Sequence, residues 1–311
     1  MDFIYKENTI TCDPKDIDEV AKQVDLDWKI VQCPALYRHP ITNELVKTDD
    51  CYALMVKGET VTKLSVTGKS HVPVEPKTLL KIIARVAERM DLTIEAAGHT
   101  REGKYIFALC SMRSMTTVGE TQFNQYLMIS TSNEGNQKTR ITPLCLNSKL
   151  KVQLPVLLSQ RPTESSVNIS HHYTLDADEV VIELMEKLRA THLDYEGTLQ
   201  KLCEMSASTE DVKQFHHMIY RRFTVGKSIK KEYDAAMLEL MECYKAVNNS
   251  IDTTIKGTYL SIWLSLNHYL DNIKKRRGGS TGKIHSLNFG ADEKTKREAF
   301  SDIISLLIKE G

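Results

Sequence analysis

Hydrophobic periodicity changes once along this chain, just after Tyr173, and that change constrains the fold class. Before it, apolar residues recur at every second position in short runs. After it, they recur every three to four positions in longer ones. Period-two runs divided by turn residues make antiparallel hairpins, whereas a period near 3.6 makes amphipathic helices. The expected class is α+β: an N-terminal antiparallel β-rich domain with a packed helix, followed by a C-terminal helical region. Residues 1–50 are expected to supply a helix and a strand leading into the sheet. Residues 51–172 form a basic β-rich domain, and residues 173–311 form the helical region with a basic loop at 274–283.

Local signals refine this outline. Asp13-Pro14 predicts a capped helix over 15–24, because the carboxylate can accept free N–H groups and Pro suits the first turn. Residues 28–33 read as a strand. Strands at 51–57 and 61–66 form a hairpin across Gly58-Glu59. Residues 76–90 are the clearest helix of the first half, with Leu79, Leu80, Ile82, Ile83, Val86 and Met90 on one face and Lys77, Lys81, Arg85 and Arg89 opposite. Two more hairpins pair 92–97 with 104–112 and 125–132 with 138–144. Strands at 149–154 and 167–171 follow, and 159–166 has linker composition. Asp176 is expected to cap a helix over 177–190, with further helices over 193–205, 209–222, 228–248 and 255–275. Asp292 is expected to cap the last helix.

The 41 Lys+Arg and 41 Asp+Glu cancel over the 311 residues, but they are segregated. Residues 1–50 carry six cations and eleven anions, and 51–162 carry fifteen and eight. Residues 163–250 carry ten and fifteen, and 251–311 carry ten and seven. Two basic blocks thus alternate with two acidic ones, a pattern able to build a basic groove on a neutral protein. Acidic helices pairing with basic strands would give the same pattern. No apolar run has the length of a membrane span, and the N-terminus has no signal-peptide core. Seven scattered Cys without a C-x-x-C indicate neither a disulfide framework nor a zinc site. A cytoplasmic setting is expected.

The stretch 131–154 carries Asn133, Asn136, Arg140, Asn147, Lys149 and Lys151, with only Glu134 as acidic company. Such a surface suits an anionic, hydrogen-bonding partner, although a solvated hairpin with a Lys/Asn-rich face reads the same way. Lys274, Lys275, Arg276 and Arg277, with Lys283 after a Gly/Ser/Thr run, end a helix in cations. The helix dipole accommodates them, and a phosphate backbone would too. Gly278–Lys283, Gly68-Lys69-Ser70 and Gly226-Lys227-Ser228 each depart from the Walker A spacing or flanking elements and read as decoys. The pairs His171-His172 and His216-His217 lack a helical carboxylate partner and read as ordinary histidines. Among the aromatics, Tyr52, Tyr105 and Phe107 read as core, while Tyr37 and Tyr126 are the candidates for base stacking.

These motifs together resemble the phage- and plasmid-borne family known as domain of unknown function 932. Residues 26–31 (LDWKIV) resemble its L-D-W-x-V element. Residues 131–135 (TSNEG) resemble its S-N-x-D-G-S turn, with Glu134 in place of Asp and Asn136 in place of Ser. Residues 140–147 (RITPLCLN) resemble its T-P-x-R-x-V-C-x-N-T segment. His172 matches the His of an R-H-T element that His171 and Tyr173 do not continue. Residues 257–271 resemble its G-T-x-W to E-Y-x-D helix, and 286–290 (SLNFG) its S-x-x-F-G signature. The resemblance implies nucleic-acid metabolism through the family's setting in mobile replicons, and an enzyme through its polar motifs. Hairpins beside one long helix are also similar at fold level to the β-β-β-α core of Rad-type and phage single-strand annealing proteins.

The first expectation is a phage-type single-stranded DNA-binding protein of replication or recombination, with strand annealing and RNA binding as extensions. Lys63, Lys69, Arg140, Lys149, Lys151 and Arg161 would contact phosphates. Asn133 and Asn147 would bond sugars or bases, Tyr126 would stack, and Lys274, Lys275, Arg276, Arg277 and Lys283 would close over the strand. No cofactor and no metal is called for, and side-by-side homo-oligomers are expected on such strands. The alternatives are an enzyme on nucleic acid or nucleotides, with Glu134 and His172 as acid and base among Asn133, Arg140 and Asn147, and a phage-encoded protein docking a host factor through the acidic helices at 176–250.

Overall fold

Two antiparallel sheets divide the β-rich half. The computed structural model describes residues 3–57, 62–134, 138–159, 165–169, 177–223 and 230–310. The smaller sheet is β1 (Lys29–Arg38), β2 (Leu45–Lys57) and β3 (Thr62–Gly68) in that order. The larger has the order β4 (Thr93–Thr100), β5 (Tyr105–Val118), β6 (Thr121–Ser132), β7 (Thr139–Asn147), β8 (Val152–Pro155). A short β9 (Val167–Ile169) also pairs with β7, at the end away from β8. The expected α+β class is the observed one.

Alternation decides what each face of the large sheet meets. On one face Ile106, Ala108 and Cys110 of β5 and Leu127 and Ile129 of β6 pack under α1 (Ile17–Gln23) and α2 (Pro76–Arg89). On the other, Phe107 and Leu109 of β5 and Tyr126 and Met128 of β6 pack under Ile4, Tyr5 and α7 (Gly279–Phe289). With both faces covered, the middle of β5 reads as one continuous apolar run instead of an alternating one. α2 begins at Pro76, whose missing N–H costs nothing in a first turn, and buries Leu79, Leu80, Ile83, Val86 and Ala87 as its period requires.

The helical half comprises α3 (Ala177–Glu204), α4 (Thr209–Phe223), α5 (Lys230–Ser250), α6 (Tyr259–His268), α7 and α8 (Ala291–Glu310). Its core around Trp263, Phe300, Tyr195 and Phe215 continues into the Val118/Phe123 end of the sheet and the β7–β8 turn. Several boundaries differ from expectation for local reasons. α1 is capped by Asp16, which accepts from the Glu19 N–H at 3.0 Å, while Asp13 accepts from Lys15. α3 runs unbroken through 191–192, because neither Gly nor Pro stands at that junction and Thr191 bonds back to the Lys187 carbonyl at 2.7 Å. The 255–275 helix is shorter and ends in a π turn, Tyr269–Ile273, closed by the Lys274 N–H on the Tyr269 carbonyl at 2.9 Å. The 149–154 strand starts only at Val152, since Lys151 adopts a left-handed conformation (φ 53°). Gly58-Glu59, His171, His172, residues 160–164 and Gly226-Lys227-Ser228 lie outside the described residues.

The tight β5–β6 turn locks the sheet to the helices. Gly119 there has φ +59°, and a Cβ on it would lie 2.1 Å from Thr254 Oγ1. Thr121 donates to Asp252 at 2.6 Å across the same junction. Gly119→Val combines left-handed strain with a clash, so it should cost about 2 kcal/mol. Urea unfolding of the variant beside Gly68→Val, where nothing lies within 4 Å and φ is ordinary, separates this from a general loss of glycine.

Candidate nucleic-acid interface

Four of the ten described candidates for phosphate contact turn inward, each for an identifiable reason. Arg140, on β7, donates to Glu293 of α8 at 2.9 Å. Lys274 and Arg276 both bond Asp292, at 2.6 Å each, and Arg276 also donates to the Leu270 carbonyl. Burial alone would raise the carboxyls of Glu293 and Asp292. Their cationic partners outweigh it and hold both below the usual carboxylate range. Lys283 donates to the Phe3 carbonyl at 3.0 Å, and burial lowers its ammonium pKa. Tyr126 is buried, with its hydroxyl on Glu95 at 3.1 Å, so it presents no face for stacking. Gly278–Lys283 is not a loop: α7 starts at Gly279, and the Gly282 N–H bonds the Gly278 carbonyl at 2.9 Å. Arg161 lies outside the described residues.

The outward cations fall into two groups. Lys63 and Lys69 are exposed on and just after β3, in the small sheet. Lys149 and Lys151 are exposed in the β7–β8 turn, and Lys275 and Arg277 are exposed between the π turn and α7. These last four come from segments more than a hundred residues apart, and two hydrogen bonds bring the segments together. Asn272 Nδ2 donates to the Lys151 carbonyl at 2.7 Å, and His268 Nδ1 to the Leu150 carbonyl at 2.7 Å. None of the four is ion-paired to a carboxylate among the described residues. Asn147 fixes the turn instead of reaching a ligand. Its Oδ1 accepts from the Leu150 N–H at 2.7 Å, and its Nδ2 donates to the Gln122 carbonyl at 2.7 Å.

A second polar cluster stands at the opposite end of β6, roughly 35 Å away at the usual strand rise. Here the expected Asn133 and Glu134 meet residues the sequence did not single out. Tyr105 donates to Glu134 at 2.7 Å; Lys104 and Arg101 lie 3.4 and 3.5 Å from the same carboxylate. Burial would raise Glu134, but Tyr105 and the two cations win and keep it ionised, so it is a charge partner and hydrogen-bond acceptor rather than an acid at neutral pH. The Tyr105 ring stacks on Phe289 at 5.2 Å and meets His285 edge-on at 4.7 Å. Arg101 and Glu102 both have positive φ in the turn that holds this cluster, a strained arrangement for side chains. The only signal was position: Arg101 falls between the predicted strands 92–97 and 104–112, and Lys104 opens the second of them. Asn133 is fully buried, and neither end of its side-chain amide has a partner among the described residues. Thus the polar residues expected to act together are split: Glu134 at one end of the sheet, Asn147 at the other, Arg140 against α8, and His172 outside the described residues. Among the described residues no three His, Cys, Asp or Glu converge as metal ligands.

The architecture is that of an α+β protein, an antiparallel sheet covered on both faces, with exposed cations near one end of β6 and an ionised polar cluster at the other. The chain belongs to the family described as Domain of unknown function (DUF932), whose model matches residues 63–289. Two of the motifs that carry the resemblance, at 131–135 and 286–290, meet through Tyr105, which touches both Glu134 and Phe289. No curated protein and no solved structure matches the chain. No described helix is long and apolar enough to cross a membrane.

Proposed function

We propose that this protein binds single-stranded nucleic acid, DNA in the first place, through the patch of Lys149, Lys151, Lys275 and Arg277. The observation that carries the reading is the Asn272–Lys151 hydrogen bond, which brings together two basic segments remote in sequence whose four cations make no ion pair with a carboxylate among the described residues. Unpaired cations on locked turns suit a phosphate backbone, because little freedom is lost on binding and condensed counterions are released. Such contacts read charge and spacing rather than sequence. A role in replication or recombination of a mobile replicon, with annealing as an extension, follows from this reading. The seven cysteines, all unpaired, support a reducing cytoplasm as the setting.

Fluorescence anisotropy with a labelled single-stranded oligonucleotide tests the reading. The variant K149E/K151E/K275E/R277E should bind roughly a hundredfold more weakly at low salt, since each lost phosphate contact weakens binding irrespective of sequence. K63E/K69E, on the separate sheet, should change affinity by only a few fold. A wild-type protein that fails to bind, or a quadruple variant that binds as well as wild type, would remove the proposal. The unpartnered amide of Asn133 beside Glu134 favours a second reading, a site for a small polar ligand. Glu134→Gln would then abolish turnover of nucleotides while leaving strand binding unchanged.

A further inference from the structure

A polar groove opens beside Lys149, which is one of its lining residues. It has a volume of about 350 Å³ and lies between the β5–β6 turn, the start of β6, the β7–β8 turn and the end of α5. Hydrogen bonds between these segments fix its walls. Asn147 ties the β7–β8 turn to β6 through the Gln122 carbonyl at 2.7 Å. Thr121 ties the start of β6 to Asp252, just past α5, at 2.6 Å. The groove is therefore built before any ligand arrives.

Its polar side chains divide into spent and free. Asp252 is spent: besides Thr121 it accepts from the Thr254 hydroxyl and from the Thr254 and Ile255 N–H groups. Burial would raise its carboxyl, but these bonds hold it below the usual carboxylate range, so it stays a fixed negative charge. Glu120, Gln122, Asn124 and Ser148 are exposed, and their side chains make no hydrogen bond or ion pair among the described residues. Gln122 and Asn124 stand two residues apart on β6 and so share a face. Two carboxylates at one groove repel a phosphate, which Lys149 is placed to take beside it. A neutral, donor-rich group attached to a phosphate chain suits the groove, and that is a base. A carboxylate only accepts, at two adjacent oxygens. Guanine alone among the bases sets two donors, N1–H and the 2-amino group, side by side on the edge that an unpaired base exposes. No aromatic ring lines the groove among the described residues, so a base there is held by its edge rather than by stacking. Its volume is at the lower end of the ~300–1,000 Å³ of small-ligand pockets, enough for one base with its sugar. We propose that this groove takes one unpaired guanine of the bound strand, with the N1–H and 2-amino donors on Glu120 and the O6 on the amide of Gln122 or Asn124; the inference rests on the reading of Lys149 as a phosphate contact. The basic patch alone is indifferent to sequence, and the groove adds a preference at one position.

Anisotropy with labelled oligo(dT), and with the same strand carrying one central guanine, adenine or cytosine, tests this. Thymine is the reference because its edge offers a single donor. The guanine strand should bind the full chain about tenfold more tightly than oligo(dT), the scale of one bidentate base contact. Adenine and cytosine should gain little. Glu120→Gln should bring the guanine strand down to the affinity of oligo(dT). Glu120 is exposed and bonds no other described side chain, so the variant should keep its helical circular dichroism. Equal affinity for all four strands, or a preference for another base, would overturn this inference and leave the patch standing. So would a guanine preference that Glu120→Gln leaves intact while both strands tighten, since Glu120 would then be a plain repelling charge. A wild-type protein that binds none of the strands would overturn the reading of the patch, and this inference with it.

Discussion

Asp271→Ala should destabilise the fold by about 3–5 kcal/mol, because it leaves the buried Lys296 ammonium without its counter-charge. Lys296 and Asp271 are both buried and lie 2.6 Å apart. Burial pushes the Asp271 carboxyl up and the Lys296 ammonium down, and each partner opposes the other's shift. The pair also closes the exposed edge of β8. The Gln153 N–H donates to Asp271 at 2.6 Å, and Lys296 donates to the Gln153 carbonyl at 2.5 Å. An edge strand that would otherwise offer unpaired backbone groups is thereby tied to α8 and the π turn. The π geometry, which closes one residue later than an α turn, accompanies Asp271 at that edge. Chemical denaturation measures the loss. The double variant Asp271→Leu/Lys296→Met should recover part of it, since it removes the uncompensated charge but still orphans the Gln153 backbone. A double variant no better than the single would show that the cost lies in packing instead.

Mild acid should weaken the helical half through two histidines. His192 of α3 and His216 of α4 are buried, have no hydrogen-bond partner on either ring nitrogen among the described residues, and are pushed down to about 4 by burial. In the unfolded chain they titrate near 6.5. The unfolded state therefore takes up protons first as pH falls, and stability drops between pH 6.5 and 4. Below about pH 4 the folded histidines protonate too, and this loss levels off. At ~1.4 kcal/mol per pH unit, each histidine accounts for about 2 kcal/mol by pH 5. The depressed carboxylates Asp292, Glu293 and Glu134 act in the same sense at still lower pH, where protonation breaks their ion pairs. Urea midpoints at pH 7 and pH 5 measure the slope. His216→Leu should flatten it by nearly half, and an unchanged slope would exclude His216 as a source.

What the sequence made legible is what local chemistry decides. Pro76 and the 3.6-residue spacing of Leu79, Leu80, Ile83 and Val86 placed α2 with its buried face. The hairpins followed from alternation and turn residues. Alternation alone could not say that Tyr126 would be covered, because the segment that roofs its face is α7, from the far end of the chain. The run Lys274–Arg277 looked like one basic loop. Alternate residues of it go to Asp292, so only Lys275 and Arg277 remain outside, and that partition depends on a carboxylate fifteen or more residues on. Asn147 looked like a ligand donor, yet its amide is spent on the turn that presents Lys149 and Lys151. That the Lys149–Lys151 and Lys275–Arg277 segments meet rests on Asn272 and His268, whose reach to the β7–β8 turn no local pattern announces.

The most direct measurement is the salt dependence of single-strand binding by the wild-type protein and by K149E/K151E/K275E/R277E. Four phosphates engaged on a single strand predict log affinity falling with log salt at a slope of about −3, and a nearly flat line for the variant. A wild-type slope near zero, or one the four substitutions leave intact, would contradict the assignment of this patch as the nucleic-acid surface.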